Sequence, residues 1–233
     1  RDLLARAKDL QADVLATGHY IQRVEGPNGA ELHCGANVGK DQSYYLFTTT
    51  QEQLEFLRFP LGAMTKGETR TQAKRLGLAV ANKADSQDIC FVPTGNYADV
   101  IKNLRPEGVE PGDIVHLDGR VLGRHKGIIH YTVGQRRGLR IGGGDPLYVV
   151  RLEPEHQKVI VGPYEALLED RVFLREVNWI TNTPPAGTTV EVAVKLRSLQ
   201  PMIPARVTVL TASLAKVLLR EPQAGISPGQ ACV

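Results

Sequence analysis

Leu3, Leu4, Ala7 and Leu10 recur at helical spacing through residues 3–12, an apolar stripe set among charged positions. Directly after it, Asp13-Val14-Leu15-Ala16-Thr17 carries a short apolar run of the kind that forms a buried parallel strand. Glu25-Gly26-Pro27-Asn28-Gly29 separates two strand-like runs and predicts a hairpin turn. Thr65-Lys66-Gly67-Glu68 is a capping box, in which the threonine and the glutamate three residues on satisfy each other's backbone N–H. It predicts a helix through Leu76, and Gly77 stands where the left-handed residue that ends a helix is needed. Alternating helical and strand patterns over about 80 residues predict an α/β domain.

The pattern changes near Val92. A short helix is predicted over 97–104, after which the chain turns Gly- and Pro-rich with brief apolar runs. Asp118-Gly119, between Ile114-Val115-His116-Leu117 and Val121-Leu122, is a strong hairpin signal. From about Asp170, strands predicted over 190–196, 205–210 and 216–219 are divided by Pro/Gly turns, a spacing that suits a compact antiparallel barrel. The expected organisation is therefore α/β plus β in three parts, over residues 1–91, 92–165 and 166–233. There are no internal repeats or low-complexity tracts.

The 233 residues, 42% of them hydrophobic, are enough for two domains or more. With 28 Lys+Arg against 25 Asp+Glu the net charge is only +3, and clustering rather than the total decides whether nucleic acid is a partner. Clusters occur at Arg124-His125-Lys126 and at Arg136-Arg137 with Arg140, each of which alone reads as a solvated patch. Three cysteines at wide, irregular spacing give neither a disulfide framework nor a zinc pattern, and no metal site is expected. No apolar run approaches the ~20 residues of a membrane span, so no membrane is expected as a partner. No signal peptide is visible, and a reducing cytoplasm is the expected compartment.

Candidate chemistry centres on Cys90, a lone cysteine ending the polar stretch Asp85-Ser86-Gln87-Asp88. A thiol that carries or transfers sulfur must be reachable and must form thiolate in a polar, electropositive setting, which Lys83 and the later basic blocks can supply. A structural cysteine packed with Ile89 and Phe91 fits the same residues. Gln87 and Asp88 can shape the loop through side-chain-to-backbone hydrogen bonds. Gly18 and His19 follow the parallel strand, at the carboxyl end where open α/β sheets bind ligands. Lys40-Asp41-Gln42 joins a cation suited to phosphate with two side chains that orient or read polar edges, or else forms a solvated loop.

Several blocks, taken in order, resemble the bacterial tRNA-specific 2-thiouridylase family. They are Ala16-Thr17-Gly18-His19-Tyr20, Lys40-Asp41-Gln42-Ser43-Tyr44-Tyr45-Leu46, Phe59-Pro60-Leu61-Gly62 and Asp85-Ser86-Gln87-Asp88-Ile89-Cys90-Phe91. Later in the chain come Gly123-Arg124-His125-Lys126-Gly127, Tyr131-Thr132-Val133-Gly134-Gln135-Arg136-Arg137-Gly138-Leu139 and Ser227-Pro228-Gly229-Gln230. The resemblance runs from about Asp13 to Val233. It implies the second half of a PP-loop (adenine-nucleotide α-hydrolase-like) domain, then a small β-rich central domain and a C-terminal β-barrel.

The implied activity is ATP-dependent transfer of sulfur from a protein persulfide to C2 of the wobble uridine, through an adenylated tRNA. ATP with Mg2+ is the implied cofactor. The implied partners are tRNA and a sulfur-carrier or cysteine-desulfurase protein. By the same resemblance Cys90 bears the persulfide, Gly18 contacts ATP and His19 lies near the target base. Lys40, Asp41, Gln42, Arg197, Ser198 and Gln230 contact tRNA, although Ser198 stands where the family usually has an aromatic residue, so stacking is lost there.

The family's Ser-Gly-Gly-Val-Asp-Ser-Ser phosphate loop does not occur in the chain, nor does its second cysteine, which resolves the persulfide by disulfide formation. The chain is therefore expected to be an internal fragment, lacking the N-terminal ATP loop and the extreme C-terminus and inactive by itself. Cys34 and Cys232 fall outside the motifs and are expected to be structural. Two alternatives are a pyrophosphatase of the same fold that needs no Cys90, and a tRNA-binding module without catalysis.

Overall fold

The computed structural model describes residues 2–82, 109–142 and 144–233. Cys90, Gln87, Asp88 and the helix predicted over 97–104 lie outside the described residues. The chain divides into two compact units, one of residues 1–84, 172–220 and 231–233, the other of residues 85–171 and 221–230.

In the first unit, helix α1 (Asp2–Asp9) ends where Gln11 turns left-handed at φ 55. The N–H groups of Gln11 and Ala12 donate to the carbonyls of Lys8 and Ala7 at 2.9 and 3.0 Å, so a glutamine fills the position glycine usually takes. The apolar stripe of α1 does not mark a core among the described residues, because Leu3 and Leu10 are both exposed. Strand β1 (Leu15–Ala16) pairs in parallel with β4 (Leu57–Arg58), and the Thr17 N–H extends the ladder to the Arg58 carbonyl at 2.9 Å. The parallel strand expected over 13–17 is thus two residues long and only partly buried, with Val14 exposed.

The hairpin forms as predicted. Strands β2 (Ile21–Gly26) and β3 (Gly29–Cys34) pair from Ile21↔Cys34 to Gly26↔Gly29 around Pro27-Asn28. Ile21, Ala30 and Leu54 of helix α2 (Gln51–Phe56) are fully buried. Helix α3 (Lys66–Arg75) starts on the predicted box: the Glu68 N–H donates to Thr65 Oγ1 at 3.3 Å, and the Thr65 N–H donates to Glu68 Oε2 at 2.7 Å. Gly77 ends it at φ 65.

Four further strands make a sheet of order β10-β11-β12-β9: β9 (Leu168–Arg175), β10 (Thr189–Val194), β11 (Ile203–Val209) and β12 (Leu214–Ala224). β11 runs antiparallel to both of its neighbours. Ala215, Val217 and Leu219 alternate inward along β12, as a half-buried strand requires. In the second unit, β5 (Gly112–His116), β6 (Val121–His125), β7 (Tyr148–Glu153) and β8 (Lys158–Gly162) form a sheet of order β6-β5-β8-β7, with β5 and β8 parallel. Ile114, Ile128, Leu139, Val149, Val159 and Val161 are its core. The Asp118-Gly119 turn closes as predicted: the His116 N–H donates to the Arg120 carbonyl at 2.8 Å, and Gly119 has φ 91.

Candidate nucleic-acid interface

Gly18 and His19 leave the end of β1, and backbone packing fixes where they go. A Cβ on Gly62 would stand 1.8 Å from the Ile21 carbonyl oxygen, and one on Gly35 would stand 2.4 Å from that of Tyr20. Only bare backbone fits against this segment at both points. Gly18 itself is exposed, and a Cβ there would meet only Leu61, at an ordinary 3.7 Å. His19 is half-buried, and its Nδ1 lies 2.8 Å from Thr17 Oγ1. Among the described residues nothing hydrogen-bonds Nε2.

The Lys40-Asp41-Gln42 segment is tied to the same place. The Tyr20 N–H donates to Gln42 Oε1 at 2.9 Å, and the Gln42 N–H donates back to the Tyr20 carbonyl at 3.1 Å. Asp41 turns inward, its side chain 4% exposed. One carboxylate oxygen accepts the Gly35 N–H at 2.9 Å and the Ser43 N–H at 3.2 Å; the other accepts the Ser43 hydroxyl at 2.8 Å and lies 3.4 Å from Lys195 Nζ. Burial by itself would raise the Asp41 carboxyl. The Gly35 N–H, the Ser43 hydroxyl and N–H, and the Lys195 ammonium together outweigh burial and hold it below the usual carboxylate range.

Tyr44 extends the tie. Its hydroxyl lies 3.1 Å from the Ala231 carbonyl and 3.4 Å from that of Leu196, and burial raises its pKa above the ordinary tyrosine value. Lys195-Leu196-Arg197 is thereby bound to the Lys40 segment, and both Lys40 and Arg197 are exposed. Ser198 is half-buried. In the second unit Gln230 is exposed, its N–H donating to the Ser227 carbonyl at 3.3 Å within a turn.

Sequence reasoning placed these residues in motifs but missed Ser43, Tyr44 and Lys195 as the bonds that hold them. Tyr44-Tyr45 was visible, but nothing local marks a tyrosine whose acceptors lie more than 150 positions away. Of the other cysteines, Cys232 is pushed up to about 11 by burial and is a neutral thiol at physiological pH. Cys34 is exposed at the end of β3, its sulfur 3.7 Å from Ser43 Oγ.

The Arg124-His125-Lys126 block is not a uniform basic patch. His125 is 2% exposed; its Nδ1 accepts the Gly127 N–H at 3.1 Å, and its Nε2 donates to the Gln157 carbonyl at 3.0 Å. Among the described residues, no group of three or more His, Cys, Asp or Glu could hold a metal ion, and no helix is long and apolar enough to cross a membrane.

Three family models match consecutive stretches of the chain: a tRNA methyl transferase HUP domain over residues 1–94, a tRNA methyl transferase PRC-barrel domain over 98–163, and an aminomethyltransferase beta-barrel domain over 169–233. The fold is accordingly a HUP domain followed by a central and a C-terminal β-barrel-like domain. The tRNA-specific 2-thiouridylase MnmA of Rhodospirillum centenum is 62% identical over 241 residues, covering 100% of this chain and 61% of the relative. Those of Cereibacter sphaeroides and Paracoccus denitrificans are 59% and 57% identical, again over 100% of this chain and over 62% and 60% of their own lengths. The chain spans about three-fifths of the length of the curated relatives it matches.

Proposed function

The chain belongs to the tRNA-specific 2-thiouridylase family, and on that premise we propose that the protein transfers sulfur to C2 of the wobble uridine of tRNA. The observation that carries this reading is the joining of three distant segments. Gln42 binds the His19-Tyr20 turn, and Asp41 and Tyr44 bind Lys195 and Leu196. A wobble base must leave its stack to meet a thiol, and RNA held for that purpose needs contacts from distant parts of the chain arranged as one surface.

Within this reading Lys40 and Arg197 supply cations for phosphates, and His19 presents Nε2 toward the target base. Asp41 and Gln42 hold these groups in place through the bonds described above and, with Ser198 and Gln230, complete the tRNA contacts. ATP with Mg2+, when bound beside Gly18, supplies the adenylyl group that makes O2 of the uracil a leaving group. Cys90 carries the sulfur as a persulfide delivered by a sulfur-carrier or cysteine-desulfurase protein. Its terminal sulfur attacks C2, and the C2–O2 bond breaks as AMP leaves with the oxygen. The family's second cysteine, which this chain does not supply, then attacks Cys90 Sγ, so that the S–S bond breaks, 2-thiouridine is released and a disulfide forms.

The test incubates the full-length protein that contains this chain with ATP, a persulfide-donating protein and unmodified tRNA, then digests the RNA and measures 2-thiouridine. Thiolation that disappears in Cys90→Ser, with tRNA affinity nearly unchanged, is the expected result. More than a few per cent of the wild-type rate in that variant would remove Cys90 from the reaction. Product without sulfur would favour the pyrophosphatase reading, and tRNA binding without product would favour the binding module.

A further inference from the structure

Two arginines of the second unit take no part in the interface above. A cleft of about 600 Å³ is lined by His116, Arg120, Arg136 and Arg140, with Asp145 as its acidic residue. Leu122, Leu139 and Leu147 add apolar surface to the same cleft. Asp118 neutralises part of the positive set: its carboxylate lies 2.8 Å from Arg120 and 2.9 Å from His116 Nδ1. Among the described residues, no carboxylate pairs with Arg136 or Arg140.

The segment that carries these two arginines is firmly built. Gln135 Oε1 accepts the Thr132 N–H at 3.0 Å, and its Nε2 donates to the Arg137 carbonyl at 2.9 Å. The Gly134 N–H donates to the Val149 carbonyl at 2.8 Å, and the Val149 N–H donates to the Gln135 carbonyl at 2.9 Å. Leu139, between the two arginines, is anchored in the core. Arg140 stands at φ 55, a conformation disfavoured for any residue with a side chain, and such backbone gathers at ligand sites.

Unpaired guanidinium groups suit phosphate oxygens, and an apolar wall suits the face of a planar base. Together they describe a nucleotide. Exposed Arg137 on the same segment offers a cation for an adjoining phosphate, which a polymer has and a nucleoside monophosphate lacks. We propose that this cleft is a nucleotide subsite that takes one unstacked nucleotide of the bound tRNA, its phosphate at Arg136 and Arg140 and its base against the leucines. The proposal rests on the reading of tRNA as substrate.

Fluorescence anisotropy of unmodified tRNA tests it, with wild type, Arg136→Ala/Arg140→Ala, Gly142→Phe and the control Arg197→Ala compared over a salt series. Gly142 lines the cleft, and a Cβ there meets nothing within 4 Å, so a ring is accommodated at the cleft wall without changing charge. The arginine pair variant is expected to bind about tenfold or more weakly, with a salt slope lower by roughly 0.7–0.9 for one phosphate lost. Gly142→Phe is expected to bind about fivefold or more weakly with the slope unchanged.

If Gly142→Phe binds as wild type does, the cleft holds no base and the proposal falls, whatever the arginine variant shows. If both cleft variants match wild type while Arg197→Ala weakens binding, the tRNA reading stands and the subsite falls. If wild type does not bind tRNA, both fall together. Micromolar binding of UMP that Gly142→Phe abolishes, without competition against tRNA, would assign the cleft to a free nucleotide and overturn the proposal.

Discussion

Asp41 belongs to a motif expected to meet tRNA, and its carboxylate is bonded within the protein. A carboxylate has about four acceptor positions, and Gly35, Ser43 (twice) and Lys195 occupy them. The sequence could not reveal this, because Lys195 lies 154 positions away. Lys195→Met leaves the three uncharged donors in place, so the expected loss is about 1.5–3 kcal/mol, the range for one hydrogen bond to a charged group. Denaturant titration at pH 7 measures it.

The pH dependence has a definite sign. A carboxyl held below its unfolded value of 3.8 adds stability above that pH and loses it as pH falls through the lower folded value. The stability gap between wild type and Asp41→Asn should therefore close below about pH 4, and a gap that stays constant to pH 2 would contradict the assignment. His125 moves differently. Burial lowers its pKa from 6.5, so stability is full above that pH and declines as the unfolded chain gains a proton below it. His125→Gln should flatten the decline between about pH 7 and 5. Its place inside a run of basic letters hid its burial, since composition says nothing about which side of a strand a residue faces.

Elements with local chemistry were the legible ones. The Thr65 capping box, Gly77, the Pro27-Asn28 hairpin and the Asp118-Gly119 turn all formed where their residues place them, because each depends on neighbours within four positions. Helix α2 carries the same signal, Thr50 with Gln53, but over six residues it offers too little periodicity to be noticed. β4 is two residues long and exists only by pairing with β1, while β9 opens on Leu168-Glu169-Asp170-Arg171, a charged start that conceals a strand.

Close approach of two backbones is likewise invisible until the fold is known. Phe59-Pro60-Leu61-Gly62 stands out in the sequence only as a block of the family resemblance, yet Gly62 is the point where two chain segments touch, its added Cβ standing 1.8 Å from the Ile21 carbonyl oxygen. The atom in the way is backbone and cannot swing aside. Gly62→Ala is expected to cost about 1–3 kcal/mol, as overpacking does, and to displace the Tyr20–Gln42 pairing. Gly77→Ala meets no neighbour and costs only its left-handed backbone, about 1 kcal/mol, so the pair of variants separates steric conflict from strain. A Gly62→Ala protein as stable as wild type in urea would refute this contact.

At the scale of the molecule, a net charge of +3 says little about RNA, and what matters is which cations face outward together. Lys40 and Arg197 belong to segments bound to one another, and Arg124, Lys126, Arg136 and Arg137 are exposed in the second unit, whereas His125 drops out of the count. Each phosphate neutralised releases counterions and steepens the fall of log K against log salt by roughly 0.7–0.9. If about four such contacts form, raising salt from 50 to 200 mM should weaken tRNA binding on the order of a hundredfold. Arg197→Ala should reduce the slope by about one contact, and Lys40→Ala should do the same. Tyr44→Phe removes no charge, yet it loosens the tie between the segments that carry these two cations. It should therefore lower affinity several-fold while leaving the slope unchanged. A filter-binding salt series on the three variants decides the matter: equal slopes throughout would mean that neither cation meets a phosphate, and a slope lowered by Tyr44→Phe would mean that the tie positions a charge it cannot do without.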